Sequence, residues 1–136
     1  NEKGGRILGI CLGMQLLGSR STEDGITQGL GLVPNNVERF NNNIKKPTLK
    51  VPHVGFNTVK FSDNKGLFSN LSMKSDFYFV HSYRMLSEHM NGTIGKCSYI
   101  EEFLAAFEIS NVMGTQFHPE KSQTNGLQII KNFLAA

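Results

Sequence analysis

The sequence predicts an α/β fold, an open sheet whose reacting residues sit at the carboxyl ends of strands. Three observations carry this. A short apolar run turns abruptly into a helix at Cys11, the chain closes on an amphipathic helix, and strand-like runs fill the space between them.

The first element is Arg6-Ile7-Leu8-Gly9-Ile10, apolar, β-branched and flanked by glycines, which reads as a buried strand. Residues Leu12 to Leu17 include the good helix formers Met14, Gln15, Leu16 and Leu17, with Leu12 and Leu16 on one face. Ser19 to Gly31 is rich in Gly, Ser, Thr and Asp and reads as a loop. Strands are expected around Gly31-Leu32-Val33, Asn36 to Phe40 and Leu49-Lys50-Val51, with residues 41–47 as a polar connection. Gly55 to Phe61 alternates apolar with polar residues, as a half-buried strand does. Asn64 to Leu71 predicts a turn with one short helix. Phe77-Tyr78-Phe79-Val80 is an aromatic strand ending at His81-Ser82-Tyr83, and further strands are expected at Thr93 to Cys97, Leu104 to Glu108 and Val112 to Phe117. The last helix, Thr124 to Leu134, carries Leu127, Ile130 and Leu134 at helical spacing. A strand that opens the chain and also bears a nucleophile is expected to lack the neighbours that a central parallel strand has.

At 136 residues the chain has room for one core, so one domain is expected over 1–136. Its 39% hydrophobic and 18% charged residues suit a globular protein, and no apolar run approaches membrane-spanning length. The net charge of +3 is scattered, with a dense spot only at Lys45-Lys46 and Lys50, so neither nucleic acid nor membrane is expected as a partner. Cys11 and Cys97 lack the close spacing of zinc sites or disulfide scaffolds, which predicts a reducing, cytoplasmic setting and no metal. The start, Asn1-Glu2-Lys3-Gly4-Gly5, has neither Met nor an apolar targeting region, and the chain is expected to begin within a longer protein.

Gly9-Ile10-Cys11-Leu12-Gly13 has the form of a nucleophile elbow with Cys in the place of Ser. A nucleophile on a tight strand-to-helix turn is strained, and the residues two before and two after it are expected to lack side chains so as to avoid collision. The helix start favours a thiolate, and the Leu12 N–H is free to stabilise an oxyanion, so a reactive thiol is expected. The plain alternative is a small buried apolar residue, the common fate of a free Cys and the expected one for Cys97. Far downstream, Thr115-Gln116-Phe117-His118-Pro119-Glu120 runs a strand into a His-Pro-Glu triplet. Pro keeps the preceding residue extended, and residues two apart then project to one side, so His118 and Glu120 face one cleft. A carboxylate on one imidazole nitrogen leaves the other to take a thiol proton. Alone, His-x-Glu at a strand end is usually structural; paired with the elbow it reads as base and orienter.

Gly9-Ile10-Cys11-Leu12-Gly13-Met14-Gln15 with Phe117-His118-Pro119-Glu120 resembles the class I glutamine amidotransferases. Gln28 to Pro34, Val51 to Asn57 and Phe79 to Arg84 are similar to the amidotransferase subunits of imidazole glycerol phosphate synthase, in histidine biosynthesis. The resemblance implies a flavodoxin-like open sheet with helices on both faces. It implies Cys11 as nucleophile toward L-glutamine, His118 as base, Glu120 as its orienter, and Leu12 as oxyanion donor. Gln15, His81, Ser82 and Tyr83 would hold the substrate, and His53 and Lys121 would belong to a partner-facing surface. No cofactor is implied; the partner would be a (β/α)8-barrel cyclase that receives the ammonia. The family's N-terminal portion, with the first strands and a glycine-rich oxyanion loop, is expected to lie outside these residues, and loss of one oxyanion donor costs about 10²–10³ in rate. Phe56 stands where Trp is usual, which leaves open a paralogue serving another acceptor such as a surface-sugar pathway. A cysteine hydrolase for other amides or esters, and a non-catalytic fragment, are the competing readings; Gln15 and the His81-Ser82-Tyr83 segment speak against the first.

Overall fold

The computed structural model describes residues 5–21, 27–40, 51–86 and 90–135. In chain order these form β1 (Ile7–Ile10), α1 (Leu12–Leu17), β2 (Arg20–Ser21), β3 (Thr27–Gln28), β4 (Asn36–Arg39), β5 (His53–Phe61), a 3-10 turn (Gly66–Phe68), β6 (Lys74–His81), β7 (Tyr83–Met85), β8 (Thr93–Tyr99), β9 (Glu101–Ile109), β10 (Val112–Thr115), a 3-10 turn (Pro119–Lys121) and α2 (Gln123–Ala135). The ten strands make one sheet in the order β3-β2-β4-β7-β9-β8-β5-β6, with β10 joining β9 to β1.

β9 is the hub. Its residues Phe103, Leu104, Ala105, Ala106 and Phe107 are all buried, because strands lie along both its edges and side chains cover both its faces. A register shift opposite Gly95 and Lys96 lets Ala105 and Ala106 face the same cluster, the local effect of one extra residue in a strand. Only β1–β10 and β2–β4 pair in parallel, and the remaining pairings are antiparallel. β1 pairs with β10 along one edge, and no described strand lies along the other.

Consecutive residues of β1 point to opposite faces, and the two faces carry different cores. Leu8 packs into the cluster of Phe68, Phe77, Phe117 and Ile129, which α2 covers, whereas Ile7 joins Met14, Leu17, Val37 and Leu104 under α1. One open sheet with a helix on each face results, as expected. The sequence reading departs from the structure locally. Gly31-Leu32-Val33 is bend rather than strand, and the stretch expected to be loop contributes β2 and β3 instead. Two-residue strands this polar pair by backbone alone and leave no periodicity to read. The polar connection at 41–47 lies outside the described residues, as does all but Val51 of the strand expected at Leu49 to Val51.

Candidate active site

β1 delivers Cys11 to the first turn of α1 with φ 55° and ψ −109°, a left-handed backbone that a non-glycine residue adopts only where its surroundings impose it. Its N–H donates to the Thr115 carbonyl at 2.7 Å, which ties the elbow to the end of β10. A Cβ on Gly9 would meet the Gly13 carbonyl oxygen at 2.6 Å, so that glycine is required for α1 to approach the strand. The need does not extend to Gly13, where an added Cβ finds nothing within 4 Å. The expectation that both flanks must be bare is thus corrected: only the strand-side flank is crowded, since the Gly9 Cβ direction points at the α1 backbone and the Gly13 one into open space.

Burial pushes the Cys11 thiol above its ordinary range, opposed by hydrogen bonds from the Leu12 N–H and the Gln116 amide; Glu120 adds to the rise and Lys121 lowers it. The helix start, expected to favour a thiolate, does not set the sign of this shift. A six-residue α1 contributes little beyond its own first N–H, and desolvation outweighs it.

The other half of the site comes from the segment after β10. The His118 N–H donates to the Tyr78 carbonyl at 3.0 Å, and the Ser122 hydroxyl donates to the His118 carbonyl at 2.6 Å while accepting from the Tyr78 N–H at 2.9 Å. These bonds pin the His-Pro-Glu turn against β6. His118 Nδ1 lies 3.0 Å from Glu120 Oε2, with the histidine a fifth exposed and the carboxylate half exposed. The chain bends at Gln116 and Phe117 just after β10, and the Gln116 amide reaches Cys11 Sγ at 3.7 Å. No hydrogen bond joins Cys11 Sγ to His118 in this structure; the sulfur lies 3.8 Å from the Val80 carbonyl.

Gln15 is buried, and its amide donates to the Tyr83 carbonyl at 3.1 Å and to Gln116 Oε1 at 2.9 Å. His81 is buried as well, with Nδ1 2.7 Å from the Tyr83 carbonyl and Nε2 3.0 Å from His53 Nδ1. Both ring nitrogens are engaged within the protein. Ser82 and Tyr83 are half-buried at the junction of β6 and β7. His53 is 2% exposed and stacked between Phe79 and Tyr99, which removes it from any partner-facing surface. As an imidazole facing inward from β5, it finds its bond in the interior. Burial drives His53 down to about 3 and His81 down to about 4, leaving both neutral. Lys121 is exposed. A cavity of about 520 Å³ opens elsewhere, between β5 and β8 and among Asn57, Lys60, Lys74 and Lys96. No group of three or more His, Cys, Asp or Glu among the described residues is placed to hold a metal.

The family model for class I glutamine amidotransferases matches residues 2–136. The chain belongs to this family. Among curated amidotransferases it is 46% identical over 130 residues to imidazole glycerol phosphate synthase subunit HisH 1 of Parasynechococcus marenigrum, covering 95% of this chain and 61% of that protein. It is 47% identical over 127 residues to subunit HisH of Sulfurimonas denitrificans, covering 93% of this chain and 61% of that one. The chain thus spans about three-fifths of the length of these relatives. A solved glutamine amidotransferase from Thermotoga maritima shares the fold with a TM-score of 0.61 at 18% identity, over 98% of this chain and 49% of that one.

Gln116 is the residue that the sequence reading passed over. It stands inside the quoted Thr115 to Glu120 run, where the extended chain expected through Glu120 is instead bent at Gln116 and Phe117 and turns into a 3-10 helix at Pro119–Lys121, so a period of two does not place these side chains.

Proposed function

We propose that this chain carries the nucleophile half of a glutaminase subunit, which hydrolyses L-glutamine and hands the ammonia to a (β/α)8-barrel cyclase in imidazole glycerol phosphate synthesis, in the cytoplasm. The observation that carries the reading is a thiol on a strained elbow in contact with the Gln116 amide, two residues before the hydrogen-bonded His118–Glu120 pair. Similarity of 46% to a HisH subunit supports the choice of acceptor.

In this reading the Glu120 carboxylate accepts from His118 Nδ1–H, which leaves Nε2 to take the thiol proton. The transfer requires His118 Nε2 to come within hydrogen-bond reach of Cys11 Sγ. The thiolate attacks the side-chain amide carbon, and the oxyanion forms against the Leu12 N–H. The imidazolium returns its proton to the departing nitrogen, ammonia leaves, and water then cleaves the glutamyl thioester with His118 again as base.

An exposed apolar surface beside Cys11 supports a partner there. Val54 and Val80 are paired across β5 and β6, as are Phe56 and Tyr78, and Val54, Phe56 and Val80 are 55%, 50% and 36% exposed. An exposed apolar ribbon that includes Val80, whose carbonyl lies beside Cys11 Sγ, suits the mouth through which ammonia would leave. The test is glutamate release measured with and without the cyclase, for the parent and for Cys11→Ala. Turnover that requires Cys11 and rises with the cyclase supports the reading; cyclase-independent hydrolysis of simple esters in place of glutamine would overturn it.

A further inference from the structure

The hydrogen-bond network behind the elbow has its direction fixed by one atom. The Tyr83 carbonyl oxygen can only accept, so Gln15 must present its NH2 there, and the second N–H of that group goes to Gln116 Oε1. Gln116 is thereby left with its own NH2 aimed at Cys11 Sγ. Flipping Gln116 would set two NH2 groups against each other at a residue that is 0% exposed, and a buried polar group left unpaired is costly. The same carbonyl fixes the histidines. His81 carries its proton on Nδ1, so its Nε2 accepts from His53 Nδ1–H, and His53 Nε2 accepts from the Asn57 amide at 3.3 Å. Tyr83 is thus held from both sides by donors of one orientation.

We propose that Gln116 is a further catalytic residue, whose amide N–H donates to the Cys11 sulfur and stabilises the thiolate, with Gln15 and the neutral His53–His81 pair as its positioning residues. The proposal rests on the reading of Cys11 as the nucleophile. It gives the site what it otherwise lacks. The sulfur is desolvated and faces the Glu120 carboxylate, and set against these are Lys121, the Leu12 N–H and this amide. A neutral donor held rigidly in place stabilises the thiolate without competing for the proton that His118 must take.

The experiment is the pH dependence of Cys11 alkylation by iodoacetamide in the full chain, read by mass spectrometry at Cys11. For Gln116→Leu the inflection is expected to rise by about one unit, because a hydrogen bond to a charged group has about that value, with the high-pH plateau within a few-fold of the parent. Gln15→Met is expected to raise it also, since Gln116 is then free to turn. An unchanged inflection in Gln116→Leu overturns the proposal, and an unchanged one in Gln15→Met overturns the positioning part. Should the leucine variant fail to fold, the uncharged, similarly shaped Gln116→Met decides in its place: an inflection above the parent's supports the proposal, and the parent's value sinks it. The profile reads thiol acidity whatever the substrate is, so its failure is distinguishable from an absence of glutamine turnover.

Discussion

Cys11 and Cys97 show how little the residue type decides. Both are desolvated, yet Cys97 sits in the core at 2% exposure with its pKa pushed up to about 12, whereas Cys11 has donors from Leu12 and Gln116. Alkylation is therefore expected to set in at a lower pH at Cys11 than at Cys97, and Cys97→Ala is expected to leave the Cys11 labelling rate unchanged in a site-resolved mass spectrum. The two glycines of the elbow differ just as sharply. Gly9→Ala is expected to lower stability by about 1–3 kcal/mol, since its methyl meets backbone that cannot swing aside. Gly13→Ala enters open space in a helix and is expected to be neutral or stabilising by up to about 1 kcal/mol, both measured by urea unfolding.

At the scale of elements, the pairing of β5 with β6 sets His53 opposite His81 and creates a pH-sensitive bond between strands. Both folded-state pKa values lie below the ordinary histidine value of 6.5, at about 3 and about 4. Stability from the neutral pair is therefore complete above pH 6.5. It declines as pH falls toward 4, because the unfolded chain binds protons that the folded one refuses. A loss on the order of 3 kcal/mol from His81 alone is expected over that window, seen as a falling thermal midpoint between pH 6.5 and 4. A flat midpoint would show that the interior admits the charge. The turn after β10 depends on a single hydroxyl: Ser122→Ala is expected to cost about 1–2 kcal/mol and to lower turnover more than glutamine affinity, because His118 loses a tie to β6.

For the whole molecule, the partner-facing prediction belongs to the apolar ribbon of β5 and β6. Phe56→Asp is expected to weaken association with the barrel cyclase about 30-fold or more in sedimentation, the scale of a lost interface hot spot, while leaving Cys11 alkylation unchanged. Undiminished association would move the interface elsewhere. The sheet as a whole brings distant segments together. β10 lies between β1 and β9, so the ends of β1 and β10 are neighbours, and Cys11 and Gln116, more than a hundred positions apart, are in contact.

The amino-acid sequence by itself determined the elbow, the strand-turn-helix around Cys11, the His118–Glu120 pairing and the terminal helix. Each is a local pattern, set by glycine sterics, proline restriction or helical spacing, and local patterns survive without knowledge of neighbours; the His118–Glu120 contact forms, though across a 3-10 turn and not along extended chain. Only the tertiary structure decided that His53 and His81 face inward as one neutral pair, that Gln15 serves Gln116, and that the Cys11 thiol is raised in pKa. These depend on which groups meet across strands and on how much water is excluded between them. Neither burial nor long-range pairing has a signature in adjacent residues, so desolvation and hydrogen-bond direction emerge only once the sheet is assembled.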